Sequence, residues 1–180
     1  MSVTVNSRTR RHRGRVFVLE TENVTLDNGV TVDIDILRHP GAAAIVPMTD
    51  AGGVILIEQY RHAIGTRIWE IPAGTLEESE APEDCARREL IEEAGVSAGR
   101  FEKLGEITPV PGYADERIHL FLATDLAPAR QRLDPDEVLR VHEVAFSDAL
   151  AMIGDGRIQD AKTICGLLMA RRSGSTPRPL

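Results

Sequence analysis

Cysteine is scarce in this chain. Cys85 and Cys165 are the only two in 180 residues, and they stand far apart inside apolar helical patterns. That excludes a cysteine-based zinc site and reads as two buried free thiols in a reducing compartment. Long apolar runs are also missing. None approaches the ~18 residues of a membrane span, and no charged-then-apolar signal pattern opens the chain, so a cytoplasmic setting without a membrane partner is expected. Positive charge is in deficit: the formal net charge is −7, which argues against nucleic acid as the main partner. The exception is Arg8, Arg10, Arg11, Arg13 and Arg15, unopposed by any acid in the first fifteen residues. They read as a solvated, partly disordered basic arm over 1–14. Internal repeats and low-complexity segments are absent. His39, His62, His119 and His142 lack the mutual spacing of a metal or triad constellation and read as packing or surface residues, with His12 part of the arm. What remains, 42% hydrophobic and 27% charged residues, suits a single globular domain with a real core.

After the arm, RVFVLE and ENVTL are short β-like runs leading to DNGVTVDIDILR. There Asp27-Asn28-Gly29 is a hairpin signal, and Val32, Ile34 and Ile36 alternate with Thr31, Asp33 and Asp35 as in a half-buried strand. A small antiparallel N-terminal sheet over 15–40 is expected, closed by His39-Pro40-Gly41. The body, 41–172, opens with AAAIVPM and VILIEQY, continuous apolar runs that read as central strands covered on both faces. A helix is expected over about Pro82–Ala94, with Ser79 near its start, Pro82 in its first turn and Gly95 as a left-handed C-cap. Strands at FEKLGEIT, RIHLFLATDL and VLRVHEVAF and helices at SDALAMIG and DAKTICGLLMARR follow, and the polar tail over 173–180 should fray. Interleaved strands and helices give an α/β (α+β) domain with helices on a mixed sheet.

The stretch GTLEESEAPEDCARRELIEEAGV, Gly74–Val96, holds eight carboxylates and two basic residues. On a helix Glu89 and Glu93 share a face with Glu92 beside them, next to an apolar stripe of Ala86, Leu90 and Ala94. Like charges at this spacing cost ~0.2–0.5 kcal/mol on an exposed helix and more where water is scarce. A solvated acidic face is one reading. The other is a divalent cation, because hard ions such as magnesium take carboxylate and carbonyl oxygens and bridge to phosphates. Arg88 fits both, pairing with a neighbouring carboxylate.

Gly74, five residues, Glu80, seven residues, Arg88-Glu89-Leu90, one residue, Glu92-Glu93, one residue, Gly95-Val96 matches the Nudix box at every defined position. HPGAAAIVP, EQYRHAIG, WEIPAGTLEE, PVPGYADE and DAKT further resemble the ADP-ribose pyrophosphatase branch of that superfamily, as does Pro111, fifteen positions after the box. The resemblance implies a Nudix α/β/α sandwich and a hydrolase that cleaves a nucleoside diphosphate linked to another group with water and divalent metal. Magnesium is the expected ion, with manganese or zinc as alternatives.

Carried onto this chain, the resemblance makes Glu89 and Glu93 the principal metal ligands, Glu92 a ligand or its neighbour, and Ala73 the donor of a backbone carbonyl. Gly74 would permit a tight loop, and Glu80 and Arg88 would brace the box. A general base is expected on a loop in the C-terminal third. RLDPDEVLR offers Asp134, Asp136 and Glu137, of which Glu137 is favoured; Glu116 is the second candidate and also suits a substrate ligand. Arg61 is expected to clamp phosphate. Glu70 belongs either to the same pocket or to a salt bridge beneath the box. Trp69 reads as core packing, and Tyr113 as a surface residue able to stack on a base. Relatives with an N-terminal extension form homodimers through it. Residues 15–40 offer only Phe17 as an aromatic for adenine, so GDP-mannose or another nucleoside diphosphate sugar stands as the alternative substrate. A non-catalytic Nudix sensor is disfavoured by the intact box.

Overall fold

The computed structural model describes residues 2–135 and 137–173. It divides into two compact units, one formed by the chain up to Gly41 together with Thr108–Arg117, the other by the rest.

The first unit is built on a three-stranded antiparallel sheet, β1 (Thr4–Arg13), β2 (Val18–Thr25) and β3 (Thr31–Arg38), in that spatial order. Asp27-Asn28-Gly29 makes the turn between β2 and β3, with Gly29 at φ +82°. The arm expected over 1–14 is instead mostly strand. Its arginines find partners across the ladder: Arg8 lies opposite Glu22 and Arg10 opposite Glu20, and Arg8 Nε donates to Glu22 Oε1 at 2.6 Å. Each such cross-strand pair is worth ~0.2–1 kcal/mol. Arg38 reaches Glu22 from β3, so the buried Glu22 carboxylate is shared by two guanidiniums. The segment 108–117, read from the sequence as part of the body, belongs with this sheet. Leu37 N–H donates to the Tyr113 carbonyl at 2.7 Å, Asp115 N–H donates back to Leu37 at 3.2 Å, and Arg38 pairs with Asp115.

In the second unit β4 (Ala42–Pro47) lies between β7 (Ala73–Thr75), antiparallel, and β9 (Ile118–Pro128), parallel, with β8 (Val96–Ile107) outermost. A second sheet sets β5 (Gly53–Arg61) between β6 (Thr66–Glu70) and β10 (Leu139–Ala145), all antiparallel. All six residues of β4 are buried, as the unbroken apolar run predicts. Alternate side chains enter different cores. Ala43, Ile45, Ile55, Phe121 and Ala123 pack with Cys85, Ala86, Leu90 and Ala94 of α1 (Pro82–Ala94). Ala44, Val46, Leu56, Leu120 and Leu122 pack with residues of α2 (Phe146–Gly154) and α3 (Ala161–Ser173). One helix on one face and two on the other make an α/β/α sandwich with a mixed sheet.

Helix α1 opens on Pro82 with Glu83 and Asp84 in its first turn, where carboxylates complement the helix dipole. Its N-cap is Ala81 and has no side-chain cap; Ser79 lies outside, at φ +65°. Gly95, at φ +66°, ends the helix by donating its N–H to Ile91. Cys85 and Cys165 are free, and the tail beyond Ser173 lies outside the described residues.

Candidate active site

The acidic face of α1 lies against β7, and one arginine organises it. Arg88 Nε and Nη2 meet both oxygens of Glu80, at 2.9 and 3.0 Å, a bidentate pair. Nη1 turns to Glu89 Oε1 at 2.5 Å and Glu92 Oε2 at 3.1 Å. The hydrogen bonds from Arg88 hold the Glu80 carboxyl at about 2, well below its ordinary 4.5. Glu80 also accepts the Glu77 N–H at 3.0 Å, tying the loop before the helix to the same carboxylate.

Glu89 and Glu93 are buried, at 8% and 2% exposure, because the helix must turn this face inward to dock Ala86 and Leu90. Burial pushes the Glu89 carboxyl up, against the pull of Arg88. It pushes Glu93 up to about 8; the Ala73 N–H, donating at 2.8 Å, and the charge of Lys162 oppose this, while the charges of Glu89 and Glu137 reinforce it. Glycine at 74 has a steric reason rather than the conformational one expected. Its φ is not in the left-handed region, but a Cβ there would overlap the Glu89 carboxylate, whose farthest atom, Oε2, would lie at 2.6 Å.

The expected metal residues are therefore gathered: Glu89, Glu92 and Glu93 on one helix face and Ala73 on the adjoining strand. Their donors are hard oxygens, suited to a small divalent ion. Two buried carboxylates, both raised by burial and by neighbouring carboxylates, call for cationic charge, and the residues fit such a group. As the side chains stand, Glu89 and Glu92 point to Arg88 and Glu93 to the Ala73 amide, and among the described residues no three acids converge on one point.

Glu137, between β9 and β10, accepts the Asp134 N–H at 2.9 Å, and its charge reaches both Glu89 and Glu93. Asp136 lies outside the described residues. In the same segment Gln131 Nε2 donates to the Glu93 carbonyl at 2.6 Å and the Arg132 N–H to the Glu92 carbonyl at 3.1 Å, anchoring the loop to the end of α1.

Arg61, at the end of β5, donates from Nε to Glu70 Oε2 at 2.9 Å, and Lys162 of α3 holds Glu70 Oε1 at 2.6 Å. Lys162 lies in the DAKT stretch that carries the family resemblance, but the sequence reading gives it no role. Asp160, directly before the helical run, is the N-cap signal that places Lys162 in the first turn of α3. Trp69 packs against the core and against the His142 ring at 4.7 Å. Glu116 and Tyr113 belong to the first unit, where Glu116 Oε1 lies 3.8 Å from His39 Nδ1 and the Tyr113 side chain is exposed.

A strand, a glycine that leaves room for a carboxylate, and a helix stacking glutamates beside an Arg–Glu pair thus lie together in the second unit. The chain belongs to the NUDIX domain family, which matches residues 38–167, and is a Nudix hydrolase; such enzymes generally depend on a divalent metal. It is 42% identical over 152 residues to an ADP-ribose pyrophosphatase of Bacillus subtilis, covering 83% of this chain and 82% of that one. With an ADP-ribose pyrophosphatase of Mycobacterium tuberculosis it shares 35% over 185 residues, covering 98% and 88%. A GDP-mannose pyrophosphatase of Yersinia pestis is 39% identical over 145 residues, covering 74% and 72%. The solved structure of an ADP compounds hydrolase superimposes with a TM-score of 0.85 over 96% of this chain and 94% of that one; at 23% identity it speaks to the fold.

Proposed function

We propose that the protein hydrolyses ADP-ribose to AMP and ribose 5-phosphate. The observation that carries the reaction class is the buried pair Glu89 and Glu93 beside the Ala73–Gly74 strand, two carboxylates in a setting that disfavours their charge. Glu89, Glu92, Glu93 and the Ala73 carbonyl would hold magnesium, with manganese or zinc as alternatives. Bound there, the ion neutralises diphosphate charge and acidifies water.

The chain's own residues supply the rest. Arg88, fixed by Glu80, orients Glu89 and Glu92. Arg61 offers its terminal guanidinium nitrogens to phosphate oxygens, since Nε is engaged by Glu70. Glu137 accepts a proton from the attacking water as that oxygen bonds to one phosphorus and the bridging P–O bond breaks.

Supporting ADP-ribose are the two relatives named for it, one of them matched over nearly the whole chain. The relative named for GDP-mannose favours the second reading, the same chemistry on that nucleotide sugar. We further assign the protein to the cytoplasm, since no described helix is long and apolar enough to cross a membrane and neither cysteine is bridged. We also assign it a homodimeric state through the N-terminal sheet. Support for the dimer comes from β1, an edge strand whose ten residues are all exposed. Such a strand is open to pairing.

A panel of ADP-ribose, GDP-mannose and other nucleoside diphosphate sugars, assayed for monophosphate release with magnesium, manganese and zinc, tests the substrate. Highest kcat/KM on ADP-ribose is expected; a clear preference for GDP-mannose would reverse the choice. Sedimentation as a monomer at micromolar concentration would overturn the dimer.

A further inference from the structure

Glu70 is buried at 2% exposure, yet each of its carboxylate oxygens is held by a different cation, Oε2 by Arg61 and Oε1 by Lys162. The Lys162 side chain is itself only 11% exposed and meets Asp160 Oδ2 at 3.0 Å on its other side. Asp160 caps α3: the same Oδ2 accepts the Thr163 N–H at 2.9 Å and the Thr163 hydroxyl at 2.5 Å. That hydroxyl in turn accepts the N–H of Ile71, next to Glu70, at 2.9 Å. Residues 160–163 thus hold 70–71 twice, once through the main chain and once through the carboxylate.

A buried carboxylate oxygen stripped of its donor is left desolvated and unpaired, so Glu70 would rotate if Lys162 were removed. Arg61 would follow, because its side chain is 42% exposed and Glu70 is the one described side chain that holds it. We propose that Lys162 is a positioning residue for phosphate binding. Acting through Glu70, it sets the Arg61 guanidinium so that the edge opposite Nε meets the diphosphate, while Asp160 and Thr163 set Lys162. The inference rests on the reading of Arg61 as a phosphate ligand.

The test compares Lys162→Met, Lys162→Arg, Arg61→Gln and the double variant K162M/R61Q on ADP-ribose. Saturating magnesium keeps the lysine's field at Glu93 from entering the comparison. K162M should raise KM about tenfold with kcat within about threefold, the pattern of lost uniform binding, and K162R should recover part of it. On the R61Q background K162M should add less than about twofold. A wild-type KM in K162M, or a fully multiplicative effect with R61Q, overturns the positioning role alone. An unchanged KM in R61Q overturns both that role and the reading of Arg61. Should K162M not fold, Asp160→Asn, which keeps an α3 cap but weakens the hold on Lys162, should raise KM about threefold, and an unchanged KM there is equally decisive against the proposal.

Discussion

Gly74→Ala separates the requirements of the site from those of the fold. The backbone at 74 is outside the left-handed region, so alanine meets no conformational penalty there. All three atoms of the Glu89 carboxylate would lie within 2.6 Å of the new Cβ, whereas real Cβ contacts stay beyond 3.0 Å. The carboxylate is the far end of a flexible side chain and can swing away, by on the order of 1 Å or more. That is cheap for folding: a loss under ~1 kcal/mol in a chain of this size moves Tm by no more than about 2–4 °C. For catalysis it is expensive, since a misplacement of ~1 Å in the positioning of reacting groups can cost ~10²-fold, or about 2.7 kcal/mol at the barrier. Kinetics at saturating substrate and magnesium, beside a thermal melt, should show kcat reduced about a hundredfold in a protein that melts almost as the wild type does. A folded variant with kcat within about threefold of wild type would refute the assignment of Glu89. A collapse of Tm would mean that the glycine serves the fold.

Glu137→Gln should lower kcat by ~10²-fold or more with little change in KM, and a near-wild-type kcat would remove Glu137 as the base. Glu80 has its carboxyl held at about 2 by Arg88, below its ordinary 4.5. Its ionised form therefore stabilises the fold above about pH 4.5, and that contribution is lost as pH falls toward 2. Melts across this window should show a fall in the wild type that is shallower in Glu80→Gln, and parallel curves would contradict the pairing. Burial, reinforced by Glu80 and Glu89, pushes the Cys85 thiol up to about 12, so a thiol reagent at pH 8 should label half-buried Cys165 and spare Cys85 until the protein is unfolded. Native labelling of both at similar rates by peptide mass mapping would show that the α1 core opens.

The sequence is most informative where one element carries the whole signal. Helix α1 runs over the residues its proline, apolar stripe and terminal glycine predict, and β4 is buried throughout as its unbroken apolar run requires. It misleads where the partner lies far along the chain. Five arginines without local acids read as a solvated arm, but Glu22 and Glu20 stand opposite Arg8 and Arg10 once β2 folds back. Residues 108–117 hold a turn-rich stretch whose hydrogen bonds to Leu37 no local pattern announces. Gly74 was legible as a glycine but not as a space for Glu89, and Lys162 stood in the quoted DAKT stretch without a role because its partner Glu70 lies 92 positions away.

The central claim, metal-dependent cleavage of the ADP-ribose diphosphate, is tested most directly by chromatography of the products formed from ADP-ribose, with magnesium and then with excess EDTA. AMP and ribose 5-phosphate in equal amounts with magnesium, and no turnover with the chelator, is the predicted result. Undiminished turnover in EDTA, or intact ADP-ribose in the presence of magnesium, would contradict it.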